Sequence, residues 1–169
     1  MSCGAAKYSD AWSPGYTPDP AVQAQVKNVV GSMSLSEKAD QMRGTPKGNG
    51  QTTDIFRTLD NTNKGVKGFL FRDGPRGVNL AAQLPDGKAG YSTAFPVTIA
   101  RGAAFDMDLE FRIGAAIGDE TLASGNTMML APTVNILRHP AWGRAQETYG
   151  EDPFLLGRLG TAFVTGVQQ

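Results

Sequence analysis

Apolar side chains recur along this chain at helical spacing in four places, and each stretch is preceded by a residue able to start a helix. Val22, Val26, Val29 and Met33 share one helical face. Asp19-Pro20, just before them, offers a capping acceptor and then the residue whose fixed φ suits the first helical position. Ser34 and Glu37 have capping-box spacing, which predicts a second helix from Leu35 to about Met42. Leu109, Ile113, Ala116 and Ile117 form a third stripe behind Asp106. Asp108 and Glu110 lie in its first turn, as the helix dipole favours, and Gly125 is a natural stop. Leu156, Leu159, Phe163 and Val167 make the fourth stripe, after a second cap-then-proline pair, Asp152-Pro153.

Strand signals are shorter. Val66 to Phe71 reads as a strand that ends abruptly in Arg72-Asp73-Gly74-Pro75, and residues 96–100 (PVTIA) read as a second. The uninterrupted apolar run Thr127–Ala131 is what a parallel strand buried on both faces requires. Residues 1–18, punctuated by Pro14, Gly15 and Pro18, predict a flexible N-terminal arm, and residues 44–54 predict a loop. Ile55, Phe56 and Leu59 could make a helical turn. Two long polar loops, one running to Ser92 through Pro85, Asp86, Gly87 and Gly90 and one from Asn135 to Asp152, each follow a strand. The order helix, helix, strand–loop–helix, strand–loop–helix is an α/β pattern with a parallel sheet. It places both loops at the carboxyl ends of strands, where such sheets bind ligands.

Composition narrows the chemistry. The 169 residues fit about one domain, with 19–169 as its body, and 40% apolar against 19% charged residues suffice for a core. Sixteen basic and sixteen acidic side chains give no net charge, which argues against nucleic acid or an anionic membrane as partner, since both demand a basic surface. One Cys and one His exclude a disulfide framework and a His/Cys zinc cage. No stretch reaches the roughly 18 apolar residues of a membrane span, and the N-terminus lacks the layout of a signal peptide. Neither a dinucleotide nor a P-loop glycine motif is present, so nucleotide binding has no support, and there is no G-x-S-x-G nucleophile elbow.

Chemistry must therefore rest on carboxylates, arginines and backbone. Asp73, at a strand end and fixed by Gly74-Pro75, could accept two hydrogen bonds from vicinal hydroxyls, as sugar recognition needs. The competing reading is a turn-forming Asp that caps its own backbone. The second candidate is the loop 135–157, which holds Arg138, Arg144, Glu147, Glu151 and Asp152. Such alternation suits an ion-paired loop that holds one arginine towards a substrate. The simpler reading pairs Arg144, Glu147 and Glu151 internally and makes Asp152 a helix cap. His139 reads as structural, and Trp142 is either a stacking platform for a sugar ring or packing.

Together, F-R-D-G-P-R-G-V (71–78), S-T-A-F-P-V-T-I-A-R-G-A-A-F-D (92–106) and A-P-T-V-N-I-L-R-H-P-A-W-G-R-A-Q-E-T-Y-G-E-D-P-F-L-L-G (131–157) resemble, in order and spacing, the N-terminal domain of glycoside hydrolase family 3, the β-glucosidase family. The similarity runs from near Ala21, through S-L-S-E-K-A-D-Q-M (34–42), to the last residue. It implies an α/β fold that is the amino-terminal portion of a TIM (β/α)8 barrel with a helical lead-in. It also implies exo-acting, retaining hydrolysis of β-linked glucosides or related oligosaccharides, by carboxylate chemistry that needs no metal and no cofactor. Asp73 then matches a family aspartate that binds hydroxyls of the glycone, and Arg138, the first Arg of R-x-P-x-x-G-R, matches an arginine on the same sugar. Arg144, Glu147, Glu151 and Asp152 match positions that organise the loop, while Asn79 departs from members that carry an arginine there.

The resemblance puts the nucleophile in a later S-D-W-like motif and a further sugar contact in a Lys-His pair. This sequence has neither, and the acid/base also lies elsewhere in the family. No catalytic residue is therefore assigned in this chain. A full barrel takes about 250 residues, so two or three of its eight strand–helix units are expected here, with an open edge. Such a piece is expected to be inactive alone. The alternative is a non-catalytic carbohydrate-binding or assembly module that self-associates or pairs with a chain completing the barrel. Met1-Ser2-Cys3-Gly4 resembles the start of a lipoprotein whose signal was replaced by a start codon, which favours the cell envelope. The same residues are equally a cysteine in a polar arm.

Overall fold

The computed structural model describes residues 19–44, 57–80 and 90–169. The expected arm 1–18 with its Cys3, most of the loop at 44–54, Ile55, Phe56 and the Pro85–Gly87 stretch lie outside them. The described chain divides into two compact units, one up to Leu70 and one from Phe71 to Gln169.

In the first unit, α1 (Pro20–Gly31) begins where Asp19 accepts a 2.7 Å hydrogen bond from the Ala21 N–H. α2 (Leu35–Gln41) begins in the expected capping box: the Glu37 N–H donates to the Ser34 hydroxyl at 3.2 Å, and the Ser34 N–H donates to the Glu37 carboxylate at 2.8 Å. The other Glu37 oxygen accepts from the Asn61 amide at 3.2 Å, which ties α2 to the 3-10 turn Thr62–Lys64. Only Met33 of the expected α1 face is buried, while Val22 and Val26 stay about half exposed.

The strand expected over Val66–Phe71 is displaced. Val66 and Leu70 make only single antiparallel bridges, to Asn61 and Arg57, and the regular strand β1 is Phe71–Asp73. Side chains take the backbone donors that a ladder would need. The Gly68 N–H donates to Asp60 at 2.7 Å and the Phe69 N–H to the Thr58 hydroxyl at 2.8 Å. Leu59, expected in a helical turn, is in no helix.

In the second unit β1 pairs in parallel with β2 (Met128–Leu130), so that Asp73 stands beside Leu130. This is the crossover sheet that the element order predicts. Between the strands lie α3 (Thr98–Gly102) and α4 (Met107–Ala123), and after β2 comes α5 (Pro153–Val167). Asp106 caps α4 through the Leu109 N–H at 2.9 Å, and Asp152 caps α5 through the Phe154 N–H at 2.8 Å. Gly125, at φ +77°, turns the chain out of α4 as expected.

Residues 96–100 are not a strand: the chain is helical from Thr98. Thr98 and Ile99 favour extended backbone, but the Ala100 and Arg101 N–H groups both donate to the Val97 carbonyl. Burial of Thr98, Arg101 and Gly102 then outweighs that modest propensity.

The core lies between α4, α5 and the sheet, where Val78, Ile113, Ile117 and Phe163 pack together with Met129 and Ala131 against them. α4 and α5 approach backbone to backbone. Gly114 faces the Phe163 carbonyl and Gly166 the Phe111 carbonyl, with no room for a Cβ at either. β2 differs from its expectation of burial on both faces. Met129 points to the helices, but Met128 and Leu130, on the opposite face by strand alternation, are 37% and 42% exposed. No layer of described residues covers that second face.

Candidate functional site

The loops leaving β1 and β2 are held by their own hydrogen bonds. The Asn79 N–H donates to the Asp73 carbonyl at 2.8 Å, the Gly77 N–H to the Gly74 carbonyl at 3.2 Å and the Phe95 N–H to the Arg76 carbonyl at 2.8 Å. In the second loop the Thr148 hydroxyl donates to the Asn135 carbonyl, and the Leu137 N–H donates to the Gly150 carbonyl at 3.1 Å. These bonds fold the loop back so that its 3-10 turn, Ala145–Glu147, faces the Asp73 turn.

Between them is a cavity of about 400 Å³, at the carboxyl ends of the two parallel strands. Asp73, Arg76 and Asn79 line it from one loop, Leu130 and Thr133 from the end of β2, and Arg144, Gln146 and Glu147 from the other loop. The Arg144 guanidinium grips the Glu147 carboxylate with two donors, at 2.9 and 2.5 Å. That bond raises the pKa of Arg144 above its ordinary value, with the charges of Glu147 and, more weakly, Asp73 adding to it. The same bond lowers the pKa of Glu147 below the usual carboxylate range. The cavity therefore presents a carboxylate, an ion pair and two side-chain amides to whatever enters. Such a set can share hydrogen bonds with a neutral polyhydroxylated ring.

Of the residues singled out in the sequence, the structure gathers Asp73, Arg144 and Glu147 at this cavity. Arg138 and Glu151 lie exposed in the same loop but outside the lining, and Asp152 serves α5 as its cap. Trp142 is half buried and also outside the lining, and its backbone N–H donates to the His139 carbonyl at 3.0 Å. His139 Nδ1 accepts from the Ala141 N–H at 3.1 Å and so closes its own turn. Arg76, Thr133 and Gln146 were not singled out, and no local pattern marks them. A buried group behind the site, Arg101, Glu110 and Tyr149, also escaped notice. One signal for it was legible: Glu110 falls on the same helical face as Ile113 and Ile117, an acid on an apolar stripe.

Two further grooves are more apolar. One, of about 520 Å³, runs along Val134, Ile136, Leu156 and Val164. The other, of about 640 Å³, is lined by Val26, Val29, Met33, Met42 and Val66. Among the described residues no three His, Cys, Asp or Glu side chains gather to hold a metal ion, and no helix is long and apolar enough to cross a membrane.

Comparison with known proteins agrees with the motifs. Residues 79–169 match the glycosyl hydrolase family 3 N terminal domain. The chain is 36% identical over 146 residues to beta-glucosidase B of Emericella nidulans, covering 86% of this chain and 16% of that protein. It is 34% identical over 143 residues to a beta-glucosidase of Rhizobium radiobacter, covering 85% and 16%. The fold is similar to beta-glucosidase 3B of Thermotoga neapolitana in complex with glucose. The TM-score there is 0.76 at 32% identity, over 85% of this chain and 21% of that one. The chain thus spans less than a quarter of each of these relatives. Its paired parallel strands, each followed by a helix, are part of a TIM-barrel-type α/β domain, and the chain belongs to glycosyl hydrolase family 3, within the N-terminal domain of that family.

Proposed function

We propose that this polypeptide forms one wall of the glycone subsite of a β-glucosidase-type, exo-acting glycoside hydrolase that works with retention. The observation that carries this reading is the convergence of Asp73 with Arg144 and Glu147 at the carboxyl ends of β1 and β2. Asp73 accepts hydrogen bonds from vicinal sugar hydroxyls, and its turn fixes its direction. Arg144 and Glu147 hold one another, so the second loop stands ready before sugar arrives and little ordering is left to binding. Resemblance to the family motif assigns Arg138 to the same ring as well, although its side chain is exposed on the same loop outside the cavity lining. A retaining mechanism needs a carboxylate nucleophile and an acid/base about 5 Å apart across the glycosidic bond. None of the residues at this cavity is given either role, and the chemistry belongs to groups supplied outside this set.

The test is a glucose titration of the 169-residue chain followed by NMR, together with an assay on an aryl β-glucoside. The chain is expected to bind glucose weakly and to show no turnover. Asp73→Ala is expected to weaken binding by about tenfold, the loss of a charge-assisted hydrogen bond. Unchanged affinity in that variant removes Asp73 from the subsite, and turnover by the purified chain removes the assignment of roles.

A second reading, a non-catalytic carbohydrate-binding or barrel-completing module, is supported by the uncovered face of β2. Met128 and Leu130 are each at least a third exposed there, and a partner chain or a second copy would cover them. Light scattering of the purified chain decides it: concentration-dependent association supports this reading, and a monomer at all concentrations ends it.

A further inference from the structure

Arg101, on α3, is 2% exposed, and Glu110, on α4, is 1% exposed. Their charged groups lie 3.4 Å apart. Arg101 Nη2 donates to the Pro75 carbonyl at 2.7 Å and to the Thr98 hydroxyl at 3.2 Å. Pro75 belongs to the turn that carries Asp73 and lines the cavity. Glu110 Oε1 also accepts a 2.5 Å hydrogen bond from the Tyr149 hydroxyl, two residues after Glu147. The guanidinium lies 5.9 Å from the Tyr149 ring centre and 5.7 Å from that of Phe163. Next to Arg101, Gly102 rests on the Tyr149 backbone carbonyl, where a Cβ would have no room. One buried charge pair thus touches both loops of the candidate site.

Stability alone is a weak account of this arrangement. The desolvation of two buried charges offsets much of what the 3.4 Å contact and its hydrogen bonds return, and apolar residues of similar size often serve as well. The network is also incompletely satisfied: among the described residues, Arg101 Nε and Nη1 and Glu110 Oε2 have no hydrogen-bond partner. What the pair supplies, and an apolar filling would not, is direction. A forked cation holds one carbonyl at a set place, and its counter-ion holds one phenol.

We propose that the Arg101–Glu110–Tyr149 cluster is a positioning device that sets the Asp73 turn and the Arg144–Glu147 turn at the separation one sugar ring requires. The functional half of this rests on the subsite reading above. The coupling of the two turns does not.

The test uses the 169-residue chain and the variants Arg101→Met, Arg101→Lys and Tyr149→Phe, with amide NMR spectra, thermal midpoints and glucose titrations. Arg101→Met is expected to move the amide signals of Gly74, Gly77 and Glu147 together and to weaken glucose by about tenfold at temperatures where it stays folded. Arg101→Lys keeps a charge without the fork and is expected not to restore either property. Tyr149→Phe removes one hydroxyl from a packed ring. It serves where Arg101→Met does not fold, and it is expected to shift Glu147 and its neighbours and to lower affinity. A folded variant with lower thermal midpoint but unmoved signals at both turns and unchanged affinity overturns the proposal, because a purely structural cluster would behave that way. Absence of glucose binding by the unaltered chain counts against the subsite reading alone, and the amide signals then decide the coupling.

Discussion

The two halves of this chain are equally well provided with local helix signals and differ sharply in what those helices bury. Up to Leu70, α1 and α2 have side-chain caps as complete as those of α4 and α5, yet Met33 is the one described apolar side chain there that is fully buried. From Phe71 onward, α4 and α5 close on one another through Gly114 and Gly166 and enclose Ile113, Ile117 and Phe163. Capping decides where a helix begins, at about 1 kcal/mol each, whereas burial of large side chains contributes several times more. The candidate site lies on the half that has the core, as a site whose loops must keep a fixed separation requires.

The largest expected effect separates the halves directly. Phe163→Ala, at a position with no exposed surface, should lower stability by about 3–5 kcal/mol in urea unfolding. Val26→Ala, at a position 52% exposed, should change it by less than about 0.5 kcal/mol. Comparable losses would mean that the α1 face is covered in solution, and the contrast would fail.

Gly114→Val puts a branched side chain where the Phe163 carbonyl stands and should cost about 1–3 kcal/mol, from separation of α4 and α5. A matched Gly31→Val, where a Cβ meets nothing within 4 Å, should show none of that overpacking loss, so equal destabilisation by the two would deny that close helix approach sets the difference.

The smallest effect is in acid, and its sign differs between the halves. The Ser34 N–H, with Asn61 and the Ser34 hydroxyl, lowers the pKa of Glu37 below the usual carboxylate range. Its stabilisation is present above the ordinary glutamate value and disappears as pH falls through the lowered one. Burial raises the pKa of Glu110 above that range, opposed by the Arg101 charge and the Tyr149 hydrogen bond. The folded protein then binds that proton more tightly than the unfolded chain does. Stability around Glu110 therefore falls as pH rises from the ordinary glutamate value through the raised one. Carboxyl NMR titrations of the two residues, assigned with Glu37→Gln and Glu110→Gln, should move in opposite directions from an unstructured glutamate. Shifts in the same direction would break this part of the comparison.

Some features were readable from neighbouring residues alone. Asp19-Pro20, Ser34 with Glu37, Asp106 and Asp152-Pro153 each announce a helix start, and each is found, because a cap is made within three residues of itself. The motif order and the strand end at Asp73 were also legible and pointed to the family to which the chain belongs. Residues 96–100 misled because two β-branched residues outweigh, in a local reading, a helix that exists through the burial of Arg101 and Gly102.

The sequence by itself determined where α1, α2, α4 and α5 start, that Asp73 closes a strand, which loops follow strands and which family the motifs belong to. Only the tertiary structure decided which apolar faces are covered, that Asp73 shares a cavity with Arg144 and Glu147, and that Glu110 is a buried counter-ion rather than a surface acid favoured by the helix dipole. The reason is range. Caps and turns are hydrogen bonds between residues a few positions apart, whereas burial and the meeting of two loops depend on elements far apart in the chain, whose approach no local pattern encodes.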